Sequence, residues 1–84
     1  MKRNNLEITL NNAIRIGMSG VQSYPEGIRL GDTFYWKNDK GNYERADWDE
    51  IQGKPELPNK YYAYTYTPNQ MAKQVERFCE SIWY

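Results

Sequence analysis

The sequence contains no histidine, which removes the commonest general base and the usual activator of a serine or cysteine nucleophile. Its single cysteine, Cys79, excludes an internal disulfide and with it the stapled scaffold of small secreted domains. Net charge is also absent, since eleven Lys and Arg balance eleven Asp and Glu. A duplex-DNA binder displaces phosphate counterions with surplus cations, and a polybasic membrane anchor needs the same surplus. Neither duplex DNA nor a membrane is therefore an expected partner. No stretch approaches the roughly 20 apolar residues of a membrane span, and the opening Met1-Lys2-Arg3-Asn4-Asn5 does not lead into a signal-peptide core. A cytoplasmic location is expected. The six glycines are scattered singly, so no phosphate-cradling loop and no cofactor are expected.

What is present fits one small domain, residues 1–84, near the lower size limit for an unaided core. A protein partner or a second copy that added buried area would stabilise such a chain, so homo-oligomerisation is one expectation. Hydrophobic residues at 39% and charged residues at 26% suit a folded globule. The apolar content is unusual in kind: eight Tyr, three Trp and two Phe are too many large rings to bury deeply in 84 residues.

The clearest element is the last. Thr67-Pro68 supplies an N-cap hydroxyl and a proline at the first helical position, and Met71, Val75, Phe78 and Ile82 then form one apolar stripe. The middle reads as a β-hairpin in which Phe34 to Lys37 and Asn42 to Arg45 flank the turn Asn38-Asp39-Lys40-Gly41. If Asn38 faces Gly41, Trp36 faces Tyr43 and Phe34 faces Arg45, with Ile28 and Leu30 extending that face backward. A third strand is expected over Tyr61 to Thr67, fenced by Pro55, Pro58 and Pro68.

Near the N-terminus, Leu6, Leu10, Ala13, Ile14 and Met18 fit a helical face stopped by Gly17 or Gly20, while Leu6, Ile8, Leu10 and Ile14, Ile16, Met18 also alternate as a hairpin would. The missing Gly or Asn at the hairpin turn favours the helix, although Ile8 lies off the helical stripe. The fold class expected is α+β, a small antiparallel sheet of at least three strands packed against the C-terminal amphipathic helix, with a possible second helix at the N-terminus.

No catalytic residue stands out. Cys79 lies beside the apolar stripe near a helix C-terminus, the wrong end to favour a thiolate, and reads as a core or rim residue. Asp47, Asp49 and Glu50 are the only carboxylate cluster. A metal would require further oxygen ligands, whereas Asp47 capping a short turn with Glu50 reaching back makes a capping box, so no metal site is expected.

The sharper feature is Tyr62, Tyr64 and Tyr66, which share one strand face at roughly 6.5–7 Å spacing. Such a row stacks bases or sugars, forms a protein-binding surface, or packs beneath the last helix; these readings stay open. Lys60 is the nearest cation, which disfavours single-stranded nucleic acid.

The phrases Gly31-Asp32-Thr33-Phe34-Tyr35-Trp36, Gly41-Asn42-Tyr43 and Trp48-Asp49-Glu50-Ile51-Gln52-Gly53-Lys54-Pro55, about a third of the chain, resemble aromatic hairpin segments of bacteriophage tail and virion-associated proteins. The resemblance implies a phage or mobile-element origin, and then the cytoplasm of the host cell. The function expected is that of a non-enzymatic accessory protein that binds a protein partner stoichiometrically, for example inhibiting a host factor by covering its surface. Tyr and Trp dominate binding hot spots, which makes Tyr62, Tyr64, Tyr66, Tyr35 and Trp83 the candidate contacts. The alternatives are a virion or tail structural component, and a carbohydrate or single-strand binder using the aromatic strand face.

Overall fold

Leu6, Leu10 and Ala13 recur at helical spacing and form the buried stripe of helix α1 (Asn5–Arg15) in the computed structural model, which describes residues 5–18, 20–58 and 65–83, with side chains through residue 80. The N-terminal choice therefore falls to the helix. Ile8 points away from the stripe and is exposed. Ile14, expected on the buried face, is exposed as well, because one residue beyond Ala13 turns it by about 100°. Gly17 ends the helix in the left-handed region, with its N–H donating to the Ile14 carbonyl at 3.0 Å and the Met18 N–H to the Ala13 carbonyl at 3.1 Å. This paired closure is a Schellman cap.

Four strands follow as an antiparallel meander: β1 (Val21–Tyr24), β2 (Gly27–Leu30), β3 (Thr33–Lys37) and β4 (Tyr43–Asp49). The free edge of β4 is then shared by two short strands, β5 (Lys54–Pro55) against Trp48 and Asp49, and β6 (Thr65–Tyr66) against Tyr43 and Glu44. The sheet curls into a half-barrel.

The hairpin of β3 and β4 exists as expected, but its register differs. Trp36 lies opposite Glu44 and Phe34 opposite Ala46, instead of Tyr43 and Arg45. The cause is the loop. Asn38 accepts hydrogen bonds from the N–H groups of Lys40 and Asn42 through its side-chain Oδ1, both at 3.0 Å, and its own N–H donates to the Asn42 carbonyl at 2.8 Å. Strand pairing therefore closes at Lys37 and Tyr43, one residue later than a four-residue turn would set it.

A second correction concerns Ile28 and Leu30. They belong to a separate strand, joined to β3 by the two-residue turn Gly31-Asp32, so Ile28 pairs with Tyr35 and Leu30 with Thr33. Gly31 adopts φ +64, the conformation such tight turns demand. A third concerns the acidic turn: Asp49, not Asp47, caps it, its Oδ1 accepting from the N–H groups of Ile51 and Gln52 at 3.0 and 3.1 Å. Asp47 lies within β4, and Glu50 turns to Arg29. Of the strand expected over Tyr61 to Thr67, Thr65 and Tyr66 are seen as strand, and residues 59–64 lie outside the described residues.

Helix α2 (Pro68–Trp83) begins as expected, with a reciprocal cap in which the Gln70 N–H donates to Thr67 Oγ1 at 3.2 Å and the Thr67 N–H to Gln70 Oε1 at 2.9 Å. Met71 and Val75 are wholly buried, and Phe78 packs partly buried at the margin of the core. Its ring lies against the Gly20 and Gly31 backbone, where an added methyl group would come within 3.1 and 3.2 Å of it. α2 packs against α1, and the two helices together cover one face of the sheet, the inner face, through Val21, Ile28, Leu30, Tyr35 and Tyr43. Among the described residues no helix is long and apolar enough to cross a membrane.

Candidate functional site: the outer aromatic face

The corrected register assigns side chains to the opposite, outer face: Tyr24 from β1, Gly27 and Arg29 from β2, Phe34 and Trp36 from β3, and Glu44, Ala46 and Trp48 from β4. Three large rings gather around a fourth. Phe34 is buried, with Tyr24, Trp36 and Trp48 at centroid distances of 6.0, 5.1 and 6.0 Å, and Tyr24 stacks on Trp48 at 6.0 Å and 22°. Gly27 and Ala46 make this possible. Ala46 leaves room beside Phe34, and at Gly27 the Phe34 ring occupies the space a side chain would need, its Cε1 lying 3.0 Å from where a Cβ would be.

Polar groups hold the cluster at its edges. Trp36 donates from Nε1 to the Glu56 carbonyl at 2.7 Å, which fastens the chain beyond β5 to the indole. Tyr24 donates from its hydroxyl to the Gln22 side chain. Arg29 lays its guanidinium over Trp48 with Cζ 4.2 Å from the ring centroid, donates from Nε to the Gly31 carbonyl at 2.7 Å, and meets Glu50 at 3.3 Å. The rings thus share one face with a part-buried cation and its exposed counter-ion.

Beside Trp36 runs a groove of about 580 Å³, lined by Asp49, Gln52, Lys54, Pro55, Glu56 and Leu57 as well as the indole. The turn between β4 and β5 presents Ile51 at 97% exposure, and Leu57 stands 77% exposed. Aliphatic side chains left this open beside a patch of tryptophan and tyrosine make the margin more apolar than an idle surface needs to be.

Of the residues singled out as contacts from the sequence, the two whose side chains are described, Tyr35 and Tyr66, lie on the inner face. Tyr35 is buried on the inner face, its ring edge-on to Tyr66 at 5.4 Å and 89°. Tyr66 is half-buried against the core. Trp83 ends α2, and its side chain, like Tyr62 and Tyr64, is outside the described residues. Among the described residues of the set, Tyr35 and Tyr66 are brought together. The missed residues are Tyr24, Arg29, Trp36 and Trp48, and the indicator that could have found them is Gly31-Asp32 read as a two-residue turn, which pairs even positions with odd.

Inner-face burial has a measurable consequence. Desolvation lifts the Tyr35 phenol above its ordinary value of 10.0, neighbouring Tyr66 adds to the rise and Arg45 opposes it. Burial lifts Tyr43 in the same direction. Because the folded state holds these protons more tightly than the unfolded chain, their contribution is complete below about pH 10 and is lost as pH rises through the folded values. The urea midpoint is therefore expected to fall steeply on the alkaline side, with tyrosinate absorbance appearing alongside it. Tyr35→Phe should make that fall shallower; a pH profile unchanged by the substitution would contradict the burial. On α2, Cys79 is half-buried, with its thiol pushed up by burial and then by Glu80, away from a reactive thiolate.

No protein-family model, no curated protein and no solved structure matches the chain.

Proposed function

We propose that this protein is a non-enzymatic binding module that acts stoichiometrically, applying its outer aromatic face to a protein partner and covering the surface it meets. One observation carries the reading: Trp36, Trp48 and Tyr24 form a supported patch on the sheet face opposite both helices, flanked by the exposed Ile51 and Leu57. Large rings held rigid over a buried support lose little conformational freedom on binding, which is why Trp and Tyr anchor interfaces. A sugar-binding platform is less well supported, since Trp48 already carries Arg29 over its ring and Tyr24 stacked against it.

The resemblance to phage hairpins falls on β3, β4 and β5, the strands that carry Trp36, Trp48 and the groove. It extends the proposal to a phage- or mobile-element-encoded inhibitor of a host factor, and it supports a virion component as the second reading. The two separate in one experiment. Tagged wild-type protein and an Ile51→Asp/Leu57→Asp variant are passed through host lysate, with light scattering on each protein alone. Both positions are so exposed that the fold should survive within about 0.5 kcal/mol. An inhibitor captures one partner in stoichiometric amount and the variant loses it. A large defined self-assembly without a host partner would favour the virion role, and capture indifferent to the substitutions would remove the outer face from the mechanism.

A further inference from the structure

The outer face is charged unevenly although the chain as a whole is neutral. Around the rings and along the β5 margin stand four carboxylates, Glu44, Asp49, Glu50 and Glu56, against two cations, Arg29 and Lys54. Glu50 is taken by Arg29, and Asp49 accepts from the backbone of its own turn. Glu44, directly across from Trp36, and Glu56, whose carbonyl holds the Trp36 indole, have no ion-pair partner among the described residues.

The two tryptophans are thereby equipped alike but occupied differently. Trp48 has a guanidinium over its ring and a carboxylate to balance it. Trp36 has Glu44 across from it on β4 and, at its side, a groove whose charged lining is Asp49 and Glu56 against Lys54, and among the described residues no cation stands over its ring. From this we infer that the groove beside Trp36 receives an arginine side chain presented by the partner protein, stacked on the indole as Arg29 is on Trp48, with Glu44 and Glu56 as counter-charges. An arginine suits both the ring and the carboxylates: its planar cation stacks on an aromatic face, and its fork of N–H donors pairs with carboxylates. Acidic rims also repel polyanions, which sets the occupant apart from nucleic acid. The inference rests on the protein-binding reading and supplies the chemistry of the partner.

The test uses the whole chain labelled with ¹⁵N at low salt, titrated with a capped Gly-Arg-Gly-Arg-Gly peptide and with its citrulline counterpart, which keeps the shape but not the charge. The Trp36 indole N–H resonance is expected to shift saturably with the arginine peptide, and the citrulline peptide should bind about fivefold or more weakly. Glu44→Gln/Glu56→Gln should weaken the arginine peptide about three- to tenfold while the Trp48 indole resonance stays in place, which shows the fold intact. Equal binding of the two peptides, shifts confined to the Glu76 and Glu80 side of α2, or no shift at millimolar peptide would overturn the inference. So would shifts that grow with protein concentration alone, which would make a second copy of this chain the occupant. If the arginine peptide fails while Ile51→Asp/Leu57→Asp still abolishes partner capture, the cationic partner is wrong and the binding face stands. If capture ignores those substitutions, the binding face itself falls.

Discussion

Gly27→Ala is expected to leave the chain largely unfolded at room temperature. A methyl group at position 27 would overlap the carbonyl oxygen of Tyr35 outright and would lie 3.0 Å from both the Tyr35 carbonyl carbon and Phe34 Cε1. The first obstacle is main chain in the neighbouring strand, which cannot yield without breaking the pairing of Gly27 with Trp36 and Ile28 with Tyr35. Small domains are stabilised by only about 5–15 kcal/mol, with the smallest near the bottom of that range. A main-chain clash that opens the central pairing of the sheet belongs with the exceptional losses of about 5 kcal/mol or more, enough to exhaust the stability of so small a domain.

Contrast comes from the other glycines. At Gly20 and Gly31 the nearest atom an added methyl would meet is on the rim of the Phe78 ring, with main chain no closer than ordinary contact distance, and at Gly41 and Gly53 nothing stands within 4 Å. Gly41→Ala should cost about 1 kcal/mol, from its positive φ alone. Urea midpoints for the two variants, with amide spectra to show whether Gly27→Ala folds at all, decide the matter. Adding Phe34→Leu to Gly27→Ala should not restore the fold, because the carbonyl remains; a rescue would mean that the ring was the real obstacle. A Gly27→Ala protein as stable as wild type would show that the described pairing of β2 with β3 is not the one adopted.

How much of this was legible in the sequence depends on how local each determinant is. Helix α2 was readable because its cap and stripe are written within a few residues: Thr67 and Pro68 start it, and Met71 and Val75 bury it. α1 was nearly so. Ile8 and Ile14, both exposed, blurred a stripe that Leu6, Leu10 and Ala13 carry alone. The hairpin of β3 and β4 announced itself through its turn residues, but its register was set by hydrogen bonds accepted by the Asn38 side chain that add one residue to the loop. A one-residue shift exchanges the faces of a strand. β3 gives no internal warning of such an exchange, since Phe34, Tyr35 and Trp36 place an aromatic ring on whichever face is chosen. Hence Tyr35 could be taken for a contact and Trp36 passed over, whereas Tyr35 lies inside and Trp36 lines the outer groove. Arg29 over Trp48, and Glu50 behind it, join residues 19 and 21 positions apart, and no local pattern encodes that. The acidic turn fails for the opposite reason: Asp47 and Asp49 are equally good caps by composition, and only the length of β4 selects Asp49.

Removing the Phe34 ring tests whether the outer face is one cooperative unit. Phe34→Ala is expected to cost about 3–5 kcal/mol, the range for deleting a buried aromatic side chain. Val75→Ala, at an equally buried inner position, deletes much less volume and should cost about 1–3 kcal/mol. The difference between the two lies in what each disturbs. Phe34 makes ring contacts with Tyr24, Trp36 and Trp48, and without it the stacking of Tyr24 on Trp48 is the one aromatic contact left among those outer-face rings. Trp36 then keeps its hydrogen bond to Glu56 but loses its ring contact. Whatever fraction of Phe34→Ala remains folded should therefore show red-shifted tryptophan emission and weakened near-ultraviolet dichroism, while Val75→Ala keeps both. Phe34→Leu, which refills most of the space, should recover most of the stability but less of the dichroism, because a leucine supports the rings without an edge-on aromatic partner. If partner capture falls in Phe34→Leu by more than its loss of folded protein explains, the buried ring acts by holding Trp36 and Trp48 in place. If capture follows the folded fraction alone, the rings need only be present, and their arrangement over Phe34 serves the stability of the sheet.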